Sequence, residues 1–385
     1  LLLAALILRS GSAVTSFALP WLVTSLTSSS LWTSVAVSSC LIASVIGAFA
    51  GGALIDRIGP VFTIRAAGLC GAMVLAMVPM LSQQNMLSIF LLVSLVACGT
   101  MFDAAASSAQ DSRVPEIAEL AGVALRRVIA AKSVVGYAAT LGTPLIAGAV
   151  AHKVGTVPTL WHSAGSLMLG AAVSGLALAG CCAELPPAVQ PSTFSVTAGF
   201  AAIWRDVLLR MSVIVVAVGA AIVSTTAAVI VPALLKMQDG DVQEYGGFIA
   251  AISAGSILGS VSYGMAGDRL KTHVVTIGGF VLISMSMALL GFFMSSSAWV
   301  LAGVMLGLAV SPMVAALSVL LYQRVDVQLR GRSFGFISAI MMCITPLSMV
   351  MIGYFVDGFG PRAVTAGLAV VAAIAVFVVD KLRKA

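Results

Sequence analysis

Charge is scarce in this chain. Asp, Glu, Lys and Arg together make up 9% of its 385 residues, aromatic residues 7%, and there are three His. A water-soluble protein carries about 25% charged residues, and a core of this size cannot absorb so much apolar surface, so a soluble globular fold is excluded. Signatures of chemistry are missing too. No G-x-x-x-x-G-K-[ST] loop is present, which removes a nucleotide-hydrolysing engine, and neither G-x-S-x-G nor HExxH occurs. The three His (His152, His162, His273) stand far apart, and the six Cys lie within or at the ends of apolar runs, without the paired spacing of a zinc site or disulfide framework. No enzyme, metal or cofactor is expected. The net charge of +6 is not gathered into a basic stripe with interleaved aromatics, so nucleic acid is not an expected partner.

What the chain has in abundance is apolar length. It is 60% hydrophobic, with a mean hydropathy of +1.12, and its apolar runs last ~20 residues, enough for a helix to cross a bilayer. Period-2 alternation in shorter segments would mark a membrane barrel and is absent. Twelve runs are expected to form membrane helices, at 1–26, 32–55, 62–81, 86–107, 127–151, 159–181, 211–236, 246–266, 273–294, 299–322, 334–356 and 363–379. Between the sixth and seventh lies "CCAELPPAVQPSTF", whose three prolines cannot continue a helix. This divides the chain into a bundle at 1–182, a linker with an amphipathic segment at 183–209, and a second bundle at 210–385. The fold class is therefore an all-α membrane protein of two six-helix bundles. The first helix has no small-residue cleavage pattern of a removable signal.

Charge placement sets an orientation. With the N-terminus in the cytoplasm, most Lys and Arg fall on that side, Arg57, Arg65, Arg113, Arg205, Arg210, Arg269 and Arg324 among them, and only Lys153, Lys236 and Arg362 fall outside. That is the positive-inside pattern. Trp21, Trp32, Trp161 and Trp299 sit at expected outer helix ends, as an interfacial belt requires. The positive charge reads as orientation and contact with an anionic inner leaflet.

An internal repeat runs through this pattern. "GGALIDRIGP" at 51–60 and "YGMAGDRLKT" at 263–272 share a glycine followed four residues later by Asp-Arg. The offset of 212 residues carries Gly52, Asp56 and Arg57 onto Gly264, Asp268 and Arg269, Gly47 onto Gly259, and Pro20 onto Pro232. "TPL" at 143–145 recurs at 345–347, an offset of 202. Repetition of this kind marks a transporter built from pseudo-symmetric halves; an old duplication in a protein that no longer transports is the alternative.

On these residues the chain resembles the major facilitator superfamily. The loop after the second helix, which in that family reads approximately G-x-L-x-D-R-x-G-R-K, reads "GALIDRIGPV" here. Gly52, Leu54, Asp56, Arg57 and Gly59 match, while Pro60 and Val61 replace the two basic positions and leave Arg65 as the nearest cation. "GYAATLGTPLIAG", with Gly136, Gly142, Pro144 and Gly148, is similar to the antiporter motif of the family, with an extra Thr143. "VPEIAELAGVALRRVIAAKS", "GFAAIWRDVLLR" and "YQRVDVQLRGRSFGF" resemble drug and macrolide efflux or siderophore-exporter members. The resemblance implies a monomeric efflux protein of a bacterial inner membrane, both termini cytoplasmic, that expels a small amphipathic or hydrophobic solute in exchange for protons. An importer or uniporter of a small metabolite, and a non-transporting receptor, remain the alternatives. It further implies that the loop latches the two bundles in one state of the cycle.

Three groups of residues follow. In the latch, Gly52 and Gly59 are expected to allow close backbone approach, Ala43, Gly47 and Gly51 to form a small-residue face mirrored by Gly255 and Gly259, and Asp56 to meet Arg57, Arg65 or Arg113; the second copy comprises Gly264, Asp268 and Arg269. A solvated turn with a topological arginine is the plainer reading. The cavity wall is expected at Ser12, Ser16, Thr100, Ser224, Thr225, Ser311 and Met313, on helices that line the central cavity in the resembling family. Within the membrane each ionisable residue costs ~2.5 to 3.5 kcal/mol or more, which makes Asp103 and Arg9 candidates. At 1.5 Å per residue Arg9 lies ~27 Å and Asp103 ~24 Å below the outer ends of their helices, so both reach one layer. Asp103 is expected to be the proton-coupling carboxylate with Arg9 as its partner, against the alternative of a static Arg–Asp brace. Lys132 is expected to snorkel.

Overall fold

The computed structural model describes residues 2–114, 118–119, 122–123, 125–181, 203–266, 272–293, 295–325 and 329–384. Among them are twelve long helices and no strand. In the first half these are α1 (Leu2–Thr27), α2 (Ser30–Ile58), α3 (Pro60–Gln83), α4 (Ile89–Ser112), α5 (Leu125–Val154) and α6 (Thr156–Cys181). In the second they are α7 (Val207–Lys236), α8 (Val242–Ala266), α9 (Thr272–Phe292), α10 (Ser296–Arg324), α11 (Arg330–Phe359) and α12 (Pro361–Lys384). Among the described residues ten helices, α1 to α5 and α7 to α11, are long and apolar enough to span a bilayer; α12 carries a shorter apolar stretch, Pro361–Phe377. Phe49, Met265 and Phe292 lie exposed on the outside, a placement that lipid tails favour and water does not. The chain is a multi-pass membrane protein.

Helix ends follow local chemistry. Gly59 takes φ 81° and Gly360 takes φ 82°, a left-handed geometry that costs a residue with a Cβ. Each is followed by a proline at the first helical position, Pro60 of α3 and Pro361 of α12, where a missing N–H removes nothing. Ser88 and Ser295 cap α4 and α10 by accepting from the N–H of Leu91 (3.2 Å) and Ala298 (3.3 Å). One helix departs from regularity. In α7 the turn Thr226–Ile230 is π-helical, with the Val231 N–H bonded to the Thr226 carbonyl. Pro232, which has no N–H to give, follows at once. Its counterpart Pro20 lies inside an α1 that is α-helical throughout.

Contacts divide the chain into two compact units. The first comprises Leu1–Ser28, Val35–Gln190 and Asp241–Gly246, the second Ser29–Ser34, Pro191–Gly240 and Gly247–Ala385. The expected linker, 183–209, lies outside the described residues as far as 202. In the first unit α3 packs on α4 and α6, and α1 on α5 and α6; in the second α9 packs on α10 and α12, and α7 on α11. Close approach in each depends on glycine. A Cβ on Gly47 would run into the backbone of Met101 in α4, and one on Gly255 into the backbone of Val304 in α10. The expected small-residue faces on α2 and α8 are therefore contact faces. Gly52 is not: a Cβ there meets nothing within 4 Å, and the same holds for Gly264. Both lie past the point where the helix is held against its neighbour, so the expectation of close approach at Gly52 is corrected.

The two short segments exchanged between the units, 29–34 and 241–246, are themselves 212 residues apart. They are the first turns of α2 and α8. In the first unit the turn of α8 packs on α5: Gly148 lies 3.4 Å, measured from an added Cβ, from the Cα atoms of Gln243 and Gly246. The imidazole Nδ1 of His152 pairs with the carboxylate of Asp241. In the second unit the turn of α2 packs on α11 through Gly353, against Ser30 and Ser34. There Asp357 accepts hydrogen bonds from the Ser29 hydroxyl (2.6 Å), the Ser30 N–H (2.6 Å) and the Leu31 N–H (3.1 Å). Gly148 therefore corresponds to Gly353 and His152 to Asp357, an offset of 205. The repeated Thr-Pro-Leu is three residues out of this register, close to one helical turn, which keeps a sequence match on nearly the same face.

Candidate functional site

The first unit holds an ionisable cluster on α1, α4 and α5. Asp103 stands on α4. Its Oδ2 accepts a 2.5 Å hydrogen bond from the Ser12 hydroxyl of α1. Its Oδ1 is buried and has no hydrogen-bond partner among the described residues. A half-satisfied buried carboxylate is costly and marks a place where another donor or a proton is accommodated. Arg9, the expected partner, makes no ion pair with Asp103; it lies exposed one turn from Ser12. Lys132 does not merely snorkel: its ammonium pairs with Asp111, two turns beyond Asp103 on α4. Asp103 with Ser12 and Asp111 with Lys132 thus stand two turns apart along α4.

Around this cluster the hydroxyls expected on the cavity wall have settled differently. Ser16 is exposed and donates to the Ser12 carbonyl (2.9 Å), and Thr100 donates to the Ala97 carbonyl (2.8 Å) with the Cys40 carbonyl at 3.4 Å. In the second unit Thr225 meets Ser348 of α11 (3.4 Å) and Ser311 meets Ser260 of α8 (2.5 Å), while Ser224 is half-buried. Met313 is fully buried, its side chain packed over Gly279 of α9 and near Gly219 of α7. It fills the space two glycines leave, which removes it from any open wall and corrects that expectation.

The loop residues are scattered in environment. Arg57 and Arg65 are exposed, whereas Arg113, just past α4, is buried at 8% exposure. Asp56 is on the last turn of α2 and its side chain lies outside what is described; Asp268 and Arg269 lie outside the described residues. Of the antiporter-like motif, Gly136 and Gly142 face open space, while the Pro144 carbonyl and Gly148 carry the contact with Gly246 at the start of α8. Sequence reading missed Asp111, Asp241 and Asp357. The last two were within reach of it: Asp241 is the 212-residue image of Ser29, at the start of a helix each time.

Comparison with known proteins agrees with this architecture. Residues 213–384 match the Major Facilitator Superfamily model. The multidrug efflux pump Tap of Mycolicibacterium fortuitum is 23% identical over 368 residues, 94% of this chain and 90% of the relative. Tap of Mycobacterium tuberculosis (strain ATCC 25618 / H37Rv) is 23% identical over 376 residues, 96% and 89%. Among solved structures the nucleoside transporter NupG superposes with a TM-score of 0.79 at 14% identity, covering 99% of each chain. A bacterial homologue of the iron transporter ferroportin gives 0.67 at 15%, covering 98% of this chain and 97% of the other. These likenesses to structures carry the fold and not the cargo. The chain thus has the fold of these solved transporters along its whole length, its second half matches the Major Facilitator Superfamily model, and over most of its length it is similar to multidrug efflux pumps.

Proposed function

We propose that this transporter exports a small amphipathic or hydrophobic solute by proton antiport, with Asp103 as the coupling carboxylate. The observation that carries the reading is the unpartnered, buried Oδ1 of Asp103 beside the Ser12-bound Oδ2. An oxygen in that position is satisfied either by a proton or by a polar group of the substrate, and the two exclude each other. Exclusion at one carboxylate, repeated in alternating conformations, couples the two fluxes. One proton crossing the membrane potential supplies ~2.3 kcal/mol per 100 mV, enough to expel a neutral solute against a substantial gradient. Efflux is supported by the named activity of the Tap relatives. Basic loops on one side support a plasma-membrane orientation with both termini cytoplasmic, and no cofactor beyond the gradient is required.

The test is transport into everted membrane vesicles. A proton gradient, acid inside, is imposed across vesicles containing the chain, and a fluorescent amphipathic dye is followed. Export predicts gradient-dependent accumulation inside, abolished by a protonophore. Accumulation that needs no gradient, or movement of dye only outward, would overturn the reading in favour of a uniporter or importer.

A further inference from the structure

At the start of α7 an apolar, outward-facing strip meets two arginines and a tryptophan. Val207 and Leu208 are 60% and 48% exposed, as lipid-facing residues are, while the preceding Trp204 is 45% exposed and Ile203, at 1%, anchors the segment inward. The guanidinium of Arg210 lies 5.5 Å from the centroid of the Trp204 ring, and its Nη1 donates to the Trp204 carbonyl at 3.5 Å. Arg205 is exposed and pairs with no described residue. The one carboxylate in the segment is already engaged. Asp206 accepts from the Leu209 N–H (3.1 Å), capping α7, and from Nη1 of Arg324 at the end of α10 (3.2 Å).

Each feature constrains the occupant. Trp at the end of an apolar span marks headgroup depth. Asp206 is engaged by Arg324, so Arg205 and Arg210 have no carboxylate partner among the described residues, and a guanidinium matches the oxygens of a phosphodiester. Val207 and Leu208 directly beyond them require the ligand to continue as an acyl chain, which no soluble anion does. We propose that Trp204, Arg205 and Arg210 form a binding site for the headgroup of an anionic phospholipid, with the lipid's chains lying along Val207 and Leu208. The site lies on the second unit alone and is independent of how Asp103 works.

Trp204 reports on its own neighbourhood. The full chain is reconstituted in phosphatidylcholine vesicles containing either brominated phosphatidylglycerol or brominated phosphatidylcholine, and the Trp204 emission is isolated by difference from Trp204→Phe. Selective binding predicts stronger quenching by the brominated anionic lipid, with a preference of about fivefold for each arginine. The preference falls to parity in Arg205→Gln/Arg210→Gln, and excess inorganic phosphate leaves it unchanged. Equal quenching by the two lipids in the unmodified chain would overturn the proposal, as would a preference that survives the double substitution. Loss of the preference on adding phosphate would assign the site to a soluble anion and also overturn it. If the double variant does not fold, Arg205→Gln alone, exposed and unpaired among the described residues, must still lower the preference.

Discussion

Arg9 and Ser12 in the first unit have Ala221 and Ser224 at the 212-residue offset in the second, Asp103 has Val310 at the 207-residue offset set by the starts of α4 and α10, and Lys132 has Ile337 at the 205-residue offset. The helix pairings and the glycine contacts of α2 with α4 recur in α8 with α10, so the scaffold is shared and the membrane-embedded charge is not. Only the serine is common to both. A buried charge is costly wherever it stands, and a coupling carboxylate is needed once per cycle, so one unit can dispense with it. The second unit offers hydroxyls where the first offers ions: Thr225 with Ser348, Ser260 with Ser311. The first turns of α2 and α8 differ in the same spirit. Asp357 holds the start of α2 by a carboxylate on three donors, while the start of α8 is held by the single half-exposed pair of His152 with Asp241.

The shared scaffold is most sharply tested at its glycines. Gly47→Leu and Gly255→Leu each drive a side chain into backbone and should destabilise by more than the ~1 to 3 kcal/mol of ordinary overpacking, with loss of monodisperse protein in detergent. Gly52→Ala and Gly264→Ala should behave as the parent. Tolerance of either leucine would contradict the reading of these two faces as contact faces. Next in size, Asp357→Ala removes the cap of α2 and should lower stability by about 1 to 2 kcal/mol at every neutral pH. Lys132→Ile, which installs the second unit's residue, should cost under ~1 kcal/mol of stability because Asp111 is half-exposed, and Asp111→Asn in the same chain should recover part of it in a thermal scan. The smallest effect belongs to His152→Gln. It removes one half-exposed pair and should cost under ~1 kcal/mol in a thermal scan. A loss equal to that of Asp357→Ala would erase the contrast between the two turns.

Much of this was legible in the sequence because apolar length is a strong signal in lipid. The run expected at 62–81 became Pro60–Gln83, extended to the Gly-Pro punctuation that hydropathy does not weigh. The π turn of α7 was not legible, since Pro20 and Pro232 are the same residue in similar surroundings and hydrogen-bond register leaves no trace in hydropathy. Asp103 was singled out by its burial cost, and the structure gives it Ser12 rather than Arg9 as a hydrogen-bond partner for a geometric reason. Depth placed Arg9 in the right layer, but three residues along a helix is a rotation of about 60° short of a full turn, and Ser12 faces α4 where Arg9 does not. Depth arguments fix height and leave azimuth open.

The account rests on Asp103, and Asp103→Asn addresses it with little change in volume. Two rates are measured in reconstituted vesicles for one dye: accumulation driven by an imposed proton gradient, and exchange of labelled for unlabelled dye with no gradient. Proton coupling at this carboxylate predicts that accumulation is lost while exchange persists. An Asp103→Asn protein that still accumulates dye in proportion to the gradient would contradict it.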